Sequence, residues 1–69
     1  MTHLQQLIYN YILKYQPICD KCIANGLGYL HNQNANTPCR RLEFLKLISR
    51  IKGHCERCNS NKLLNRTLN

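Results

Sequence analysis

The chain has 69 residues and a formal net charge of +7, from ten Lys and Arg against three Asp and Glu. A chain this short forms one domain and buries only about 60% of the surface that its unfolded state exposes, so a hydrophobic core alone would leave it marginally stable. No apolar stretch approaches the roughly 20 residues of a membrane-spanning helix, which argues against a membrane protein.

Two short cysteine pairs offer a second source of stability. Cys19-Asp20-Lys21-Cys22 and Cys55-Glu56-Arg57-Cys58 each have the two-residue gap that lets one tight turn direct two thiolates at one point. Four thiolates complete the tetrahedral coordination of a structural zinc ion. We therefore predict one structural Zn²⁺, bound by Cys19, Cys22, Cys55 and Cys58. Cys39 is expected to be a core thiol, although Cys39 or His54 could join the site.

The cysteines also bear on the cellular compartment. Their odd number would leave one thiol unpaired in a disulfide framework, and the N-terminus has no basic segment followed by a continuous apolar run. A reducing cytoplasm is therefore expected. Buried free thiols or a redox dithiol are alternatives for one pair, but neither explains two pairs. A thioredoxin-like role would also need a βαβ framework, which the pattern lacks.

The first predicted helix covers residues 2–15. Thr2 and Gln5 fit a capping box at its start, and Pro17 ends it. Its apolar residues recur at helical spacing on one stripe: Leu4, Leu7, Ile8, Tyr11, Ile12 and Tyr15.

A second, short helix is predicted to begin at Cys19 or Asp20 and to run to about Leu27, because Asp20 suits the positive end of the helix dipole. The segment 28–36 is rich in Gly and Asn and has too few apolar residues for a buried strand. It is expected to be a connection with two hydrophobic anchors, Tyr29 and Leu30.

The third helix is predicted to begin at Thr37-Pro38 and to run to about Lys46, because Pro at the first helical position sacrifices no hydrogen bond and Thr can cap the first turn. Residues 48–52 alternate between β-branched and charged types and predict a strand. Gly53 is expected to open a turn that holds the second cysteine pair, and residues 62–64 to return as a second strand. The inward residues of the third helix would be Cys39, Leu42 and Leu45.

This order of elements resembles the winged helix-turn-helix fold. Thr37-Pro38-Cys39-Arg40-Arg41-Leu42, followed by Ile48-Ser49-Arg50-Ile51-Lys52-Gly53, is similar to the recognition helix and wing of small bacterial and phage regulators. The resemblance covers nearly the whole chain. It implies a mainly α, α+β domain over residues 1–69, in which three helices precede a β-hairpin wing. The positions of the two cysteine pairs add that the four-cysteine zinc site would brace the wing against the helices.

The resemblance also implies a partner, double-stranded DNA. The third helix would lie in the major groove, with the wing on phosphates or in the neighbouring minor groove. Phe44 also falls on the reading side, although we interpret it as a core or partner-contact residue. The residues expected to contact DNA are Asn34, Asn36, Thr37, Arg40 and Arg41 from the helix, and Arg50, Lys52, Arg57 and Lys62 from the wing.

The distribution of charge favours the same partner. Eight of the ten cationic residues lie between residues 40 and 66, where Glu43 and Glu56 are the only acids. Such asymmetry suggests a polyanion bound to the C-terminal half. Solubility is the alternative explanation, since small basic domains need not touch nucleic acid. The leading interpretation is a small transcription regulator with no enzymatic activity and no small-molecule substrate.

Two further interpretations remain open. The same fold could be a protein-interaction module that holds a partner on the Tyr and Leu surface of the first helix. It could also form a homodimer through Tyr9 and Leu13, which lie off the main stripe of that helix. Residues 55–62 also resemble the closing zinc motif of HNH endonucleases, in which His31 would have to activate water. No Asp or Glu occurs between Asp20 and Glu43, so the catalytic set of such a nuclease is incomplete.

Overall fold

Three helices and a three-stranded antiparallel sheet form the part of the chain that the computed structural model describes, residues 2–28 and 33–68. Tyr29, Leu30 and His31 lie outside the described residues. In chain order the elements are α1 (His3–Tyr15), β1 (Ile18–Cys19), α2 (Asp20–Gly26), α3 (Gln33–Phe44), β2 (Ile48–Cys55) and β3 (Ser60–Thr67).

Helix α1 begins as its sequence predicts. The Thr2 hydroxyl accepts a hydrogen bond from the Gln5 backbone N–H, and the Gln5 side chain accepts one from the Thr2 backbone N–H, both at 3.1 Å. This reciprocal pair is a capping box. The predicted stripe is only partly buried, because Ile8 and Ile12 are fully enclosed whereas Leu4 and Leu7 remain exposed.

Helix α2 covers the predicted segment, but the two-residue strand β1 before it was not predicted. Ile18 pairs with Asn65 and Cys19 with Leu64, which places β1 at one edge of the sheet, beside β3. Two residues carry no recognisable periodicity, so only the presence of β3 reveals this strand.

Helix α3 begins four residues before the predicted start, so the prediction that Thr37-Pro38 opens the helix is wrong. Pro38 lies inside the helix, where its missing N–H removes one backbone hydrogen bond. The extra turn carries Ala35 into the core, on the same face as Pro38, Cys39 and Leu42, which are also buried. This burial favours the longer helix over a start at the proline.

The C-terminal end of α3 is closed by a Schellman motif. The Lys46 N–H donates to the Glu43 carbonyl at 2.9 Å and the Leu47 N–H donates to the Leu42 carbonyl at 3.0 Å. Lys46 has φ +61°, the left-handed conformation that this motif requires. Because the helix ends at Phe44, Leu45 is 40% exposed, and the prediction that it faces the core is wrong.

Strands β2 and β3 form a regular hairpin, from the pair Ile48 and Thr67 to the pair Cys55 and Ser60. The prediction that Gly53 opens the turn is wrong, since Gly53 lies within β2 opposite Lys62 and the turn covers residues 56–59. A Cβ atom on Gly53 would lie 2.9 Å from Cδ1 of Leu64. A side chain at this position would therefore require a small shift of the Leu64 methyl group.

The core lies where the three helices meet β1 and the first residues of β2. Its fully buried members include Ile8, Ile12, Ile18, Ile23, Leu42 and Ile48. Within residues 2–28 and 33–68, no helix has both the length and the apolar character needed to cross a membrane.

Candidate metal centre

The first cysteine pair lies at the junction between β1 and α2. Cys19 is the last residue of β1 and also the N-cap residue of α2, and Cys22 lies in the first turn of that helix. Both are buried, with Cys19 fully enclosed and Cys22 8% exposed. The change from strand to helix between these residues brings their two sulfurs within 4.8 Å of each other.

The second pair lies at the tip of the hairpin. Cys55 ends β2 and Cys58 lies in the turn that follows. Asn59 has φ +55°, and its backbone N–H donates to the Cys55 carbonyl at 2.8 Å. Asn adopts this left-handed conformation more readily than most residues, and residues 55–59 form a compact turn that we call the knuckle.

The fold brings the four sulfurs together. All four Sγ atoms lie within 4.8 Å of one another, and the Cys19–Cys58 and Cys22–Cys55 distances are both 3.7 Å. A tetrahedron with metal–sulfur bonds of about 2.3 Å has edges of about 3.8 Å, whereas a disulfide would need about 2.05 Å. The four predicted ligands can therefore hold one metal ion. Cys39 and His54 are not members of the cluster.

Burial and backbone hydrogen bonding shift the pKa values of the cysteine thiols in opposite directions. Burial raises the pKa of Cys19, and burial together with the neighbouring thiols raises the pKa of Cys22. Burial also acts to raise the pKa of Cys55, but hydrogen bonds from the backbone N–H groups of Cys58, Cys19 and Arg57 lower it to about 6. The knuckle thus favours the thiolate that a metal needs.

A buried ion pair lies directly beside the cluster. The Asp20 carboxylate accepts hydrogen bonds from the Arg50 guanidinium, from the Asn36 amide at 3.0 Å and from the Asn65 amide at 2.8 Å. The side chains of Arg50 and Asp20 are only 4% and 13% exposed. The Asn65 amide also donates to the Ile18 carbonyl at 3.0 Å. This network joins α2, α3, β2 and β3.

The network changes the role of one predicted DNA contact. Arg50 was expected on the phosphate-facing side of the wing, but its guanidinium is buried against Asp20 and is not presented to a ligand. Sequence reasoning missed this pair because the two residues lie 30 positions apart. The only available signal was the scarcity of acids, which gives Asp20 many possible cationic partners.

Three of the residues predicted to contact DNA share the outer face of α3. Thr37, Arg40 and Arg41 are exposed, and Phe44 completes the same stripe at positions i, i+3, i+4 and i+7. Asn36 lies beside this stripe and donates to Asp20. The side chain of Asn34 lies outside what the structure describes. We call Thr37, Arg40, Arg41 and Phe44 the outer stripe of α3.

The hairpin carries the remaining predicted contacts. Lys52 is exposed on β2 and Lys62 is half-buried on β3. Arg57, in the knuckle, is exposed and places its guanidinium carbon 4.3 Å from the centroid of the Tyr15 ring. His54 is exposed, with Nδ1 3.4 Å from Oδ1 of Asn61.

The predicted dimer residues differ in exposure. Leu13 is 52% exposed, whereas Tyr9 is half-buried and packs against the core. His31, on which the nuclease interpretation depends, lies outside the described residues.

Comparison with protein-family models, with curated proteins and with solved structures finds no match to this chain.

Proposed function

We propose that the chain is a small zinc-stabilised DNA-binding protein of winged-helix architecture that acts as a transcription regulator. The observation that carries the proposal is the outer stripe of α3, in which Thr37, Arg40 and Arg41 face solvent on the side opposite the buried residues. A helix with such a face fits the B-DNA major groove, which is about 12 Å wide, and Arg is the commonest side chain that binds guanine there.

The hairpin supports the same proposal. Lys52, Arg57 and Lys62 lie along β2, the knuckle and β3, so the hairpin presents cations over much of its length. In a winged helix, such cations contact the phosphates beside the groove that the helix occupies. Arg50 is not part of this set, because Asp20 holds its guanidinium in the interior.

Zinc is the metal that best suits the four-cysteine cluster. Thiolate ligands and tetrahedral geometry are typical of structural zinc sites, and four protein ligands leave no open position for a reacting water molecule. Bound there, the ion would tie the junction of β1 and α2 to the tip of the hairpin. Its role would be to brace the hairpin against the helices, with no part in catalysis.

The DNA-binding proposal is tested by fluorescence anisotropy with a labelled random-sequence duplex over a salt series. We expect affinity to fall steeply with salt. Lys52→Gln should make the slope of log Kd against log salt shallower by about 0.9, the effect of one lost phosphate contact. Arg40→Gln should weaken binding about tenfold. The control Lys14→Gln, an exposed cation on α1, should change neither value.

The absence of duplex binding at low salt would overturn this proposal, and so would an equal effect of Lys14→Gln and Arg40→Gln. Equal effects of the two substitutions would mean that DNA affinity depends only on the net charge of the protein and not on the outer stripe of α3.

A second candidate function is a protein-interaction module. The observation that favours it is a shallow groove on the outer face of the sheet, where Ile51 is 68% exposed beside Leu64 and Pro17. Exposed apolar surface of this kind can mark a protein-binding site. Ile51→Ser should leave DNA affinity unchanged if the two functions use separate surfaces, whereas loss of DNA affinity would place the groove within the DNA interface.

A further inference from the structure

Phe44 places a large apolar side chain in solvent at the C-terminal end of α3. At 73% exposure it is the most exposed large hydrophobic residue in the part of the chain that the structure describes. It is the last residue of α3 and lies on the outer stripe, in line with Thr37, Arg40 and Arg41. Of the two roles that the sequence suggests for Phe44, core residue or partner contact, this exposure contradicts the first. Its ring extends the face that we propose enters the major groove.

Arg41 lies directly alongside this ring. The guanidinium carbon of Arg41 is 5.3 Å from the centroid of the Phe44 ring, within the range of a cation–π contact. One face of the ring is thus covered by a cation, which leaves the ring edge and the other face for a ligand. This geometry is less suited to a nucleobase sandwiched on an open aromatic platform than to an apolar group that meets the ring from the side.

The spacing of the two residues along α3 is comparable to, and slightly larger than, the separation of neighbouring base pairs. Arg41 and Phe44 are three residues apart, which separates them by about 4.5 Å along the helix axis. Successive base pairs are separated by about 3.4 Å. Two side chains at this spacing, on one face of a helix in the groove, reach adjacent base pairs.

The chemistry of the two side chains then suggests which bases they would read. Arg can donate to both O6 and N7 of guanine, and Phe can contact the C5-methyl group of thymine, which is apolar and faces the major groove. We propose that α3 reads a guanine beside a thymine, with Arg41 on the guanine and Phe44 on the thymine methyl. This inference rests on the proposed DNA-binding function and makes Phe44 a determinant of sequence specificity.

The experiment starts from the duplex that the zinc-loaded protein enriches most from a random pool. Deoxyuridine then replaces the thymine beside the enriched guanine, which removes only the methyl group. We expect wild-type affinity to fall about fourfold, the effect of one lost apolar methyl contact. Phe44→Ala should bind the two duplexes equally. The control Leu45→Ala, at the next residue, should keep the fourfold preference.

A second substitution tests the other half of the pair. Replacing the guanine with 7-deazaguanine removes the N7 acceptor, and we expect wild-type affinity to fall about tenfold. Arg41→Gln should be insensitive to this change, whereas Phe44→Ala should keep the sensitivity. Far-UV circular dichroism and zinc content would show that each variant is folded.

The outcomes separate this inference from the proposed function. If no duplex binds, the proposed function fails and the inference fails with it. If duplexes bind but no sequence is enriched, or if wild type does not distinguish thymine from uracil, DNA binding stands and the reading by Phe44 is overturned. Tighter binding of single strands, without preference between thymine and uracil, would also overturn it and assign Phe44 to base stacking.

Discussion

At the scale of single residues, Asn59 shows how local backbone geometry supports the metal centre. It follows the last cysteine, has φ +55° and donates its backbone N–H to the Cys55 carbonyl. A left-handed conformation costs most residues about 1–2 kcal/mol, and more for β-branched ones, whereas Gly adopts it freely. The identity of this residue therefore affects how easily the knuckle closes.

Substitution of Asn59 should follow that order. We expect Asn59→Val to lower the free energy of unfolding of the metal-loaded protein by about 1–2 kcal/mol and Asn59→Gly to change it by less than about 1 kcal/mol. In a domain of this size, 1 kcal/mol corresponds to a shift in Tm of about 4–8 °C. Thermal unfolding followed by circular dichroism measures the change. Equal stability of the Val and Asn proteins would contradict the conformational argument.

At the scale of elements, the pair between Asp20 and Arg50 holds α2 against β2 from the interior. Removal of one partner of a buried ion pair leaves the other charge uncompensated and costs about 3–5 kcal/mol. The Arg50 side chain is only 4% exposed, so water cannot replace the lost partner without rearrangement of the packing around it. We therefore expect Asp20→Asn to be severely destabilising.

A double-mutant cycle separates loss of the pair from loss of the carboxylate. Asp20→Asn should lower the free energy of unfolding by about 3 kcal/mol, and adding Arg50→Met should restore part of that loss because no buried charge remains. Urea unfolding with zinc in excess measures all four proteins. If the two effects add without coupling, the pair is not the main contribution of Asp20.

Also at this scale, the reading of α3 from its sequence failed at the start of the helix. A proline after a threonine is a common helix start, and that local rule predicted the boundary. The buried side chain of Ala35 lies two residues before that threonine and favours a longer helix. Packing of Ala35 against the core therefore outweighed the local preference for a helix start at the proline. The Thr37-Pro38 pair alone does not indicate which residues of α3 the core buries.

At the scale of the whole molecule, the metal is expected to decide whether the chain folds. The cluster joins residues on both sides of α3, from Cys19 in β1 to Cys58 at the hairpin tip, and the core of a 69-residue chain is small. Native mass spectrometry should find one zinc ion per chain. A chelator should remove it and abolish the far-UV circular dichroism of the helices. A metal-free protein with an unchanged spectrum would contradict this role.

The reactivity of the cysteine thiols gives an independent measure of unfolding on zinc removal. With zinc bound, we expect a thiol reagent such as Ellman's reagent to react with no cysteine rapidly. Cys39 is fully buried, and burial together with the negative charge of Asp20 raises the pKa of its thiol, so little thiolate is present to react. After chelation all five cysteines should react. Rapid reaction of Cys39 in the zinc-loaded protein would show that the core opens around α3.

The sequence by itself determined the features that depend on neighbouring residues. The Cys-x-x-Cys spacing identified all four members of the thiol cluster, and the Thr2 and Gln5 pair identified the start of α1. Each of these depends on a turn or a cap of a few residues, so its physics is contained in a short stretch of chain.

Only the tertiary structure decided what depends on residues far apart in the chain. Strand β1 exists because β3 lies beside it, and Arg50 faces inward because Asp20, 30 positions earlier, lies next to it. The exposure of Phe44 likewise follows from which face of α3 the core covers. Pairing, burial and charge compensation are properties of the assembled fold, and local sequence patterns do not contain them.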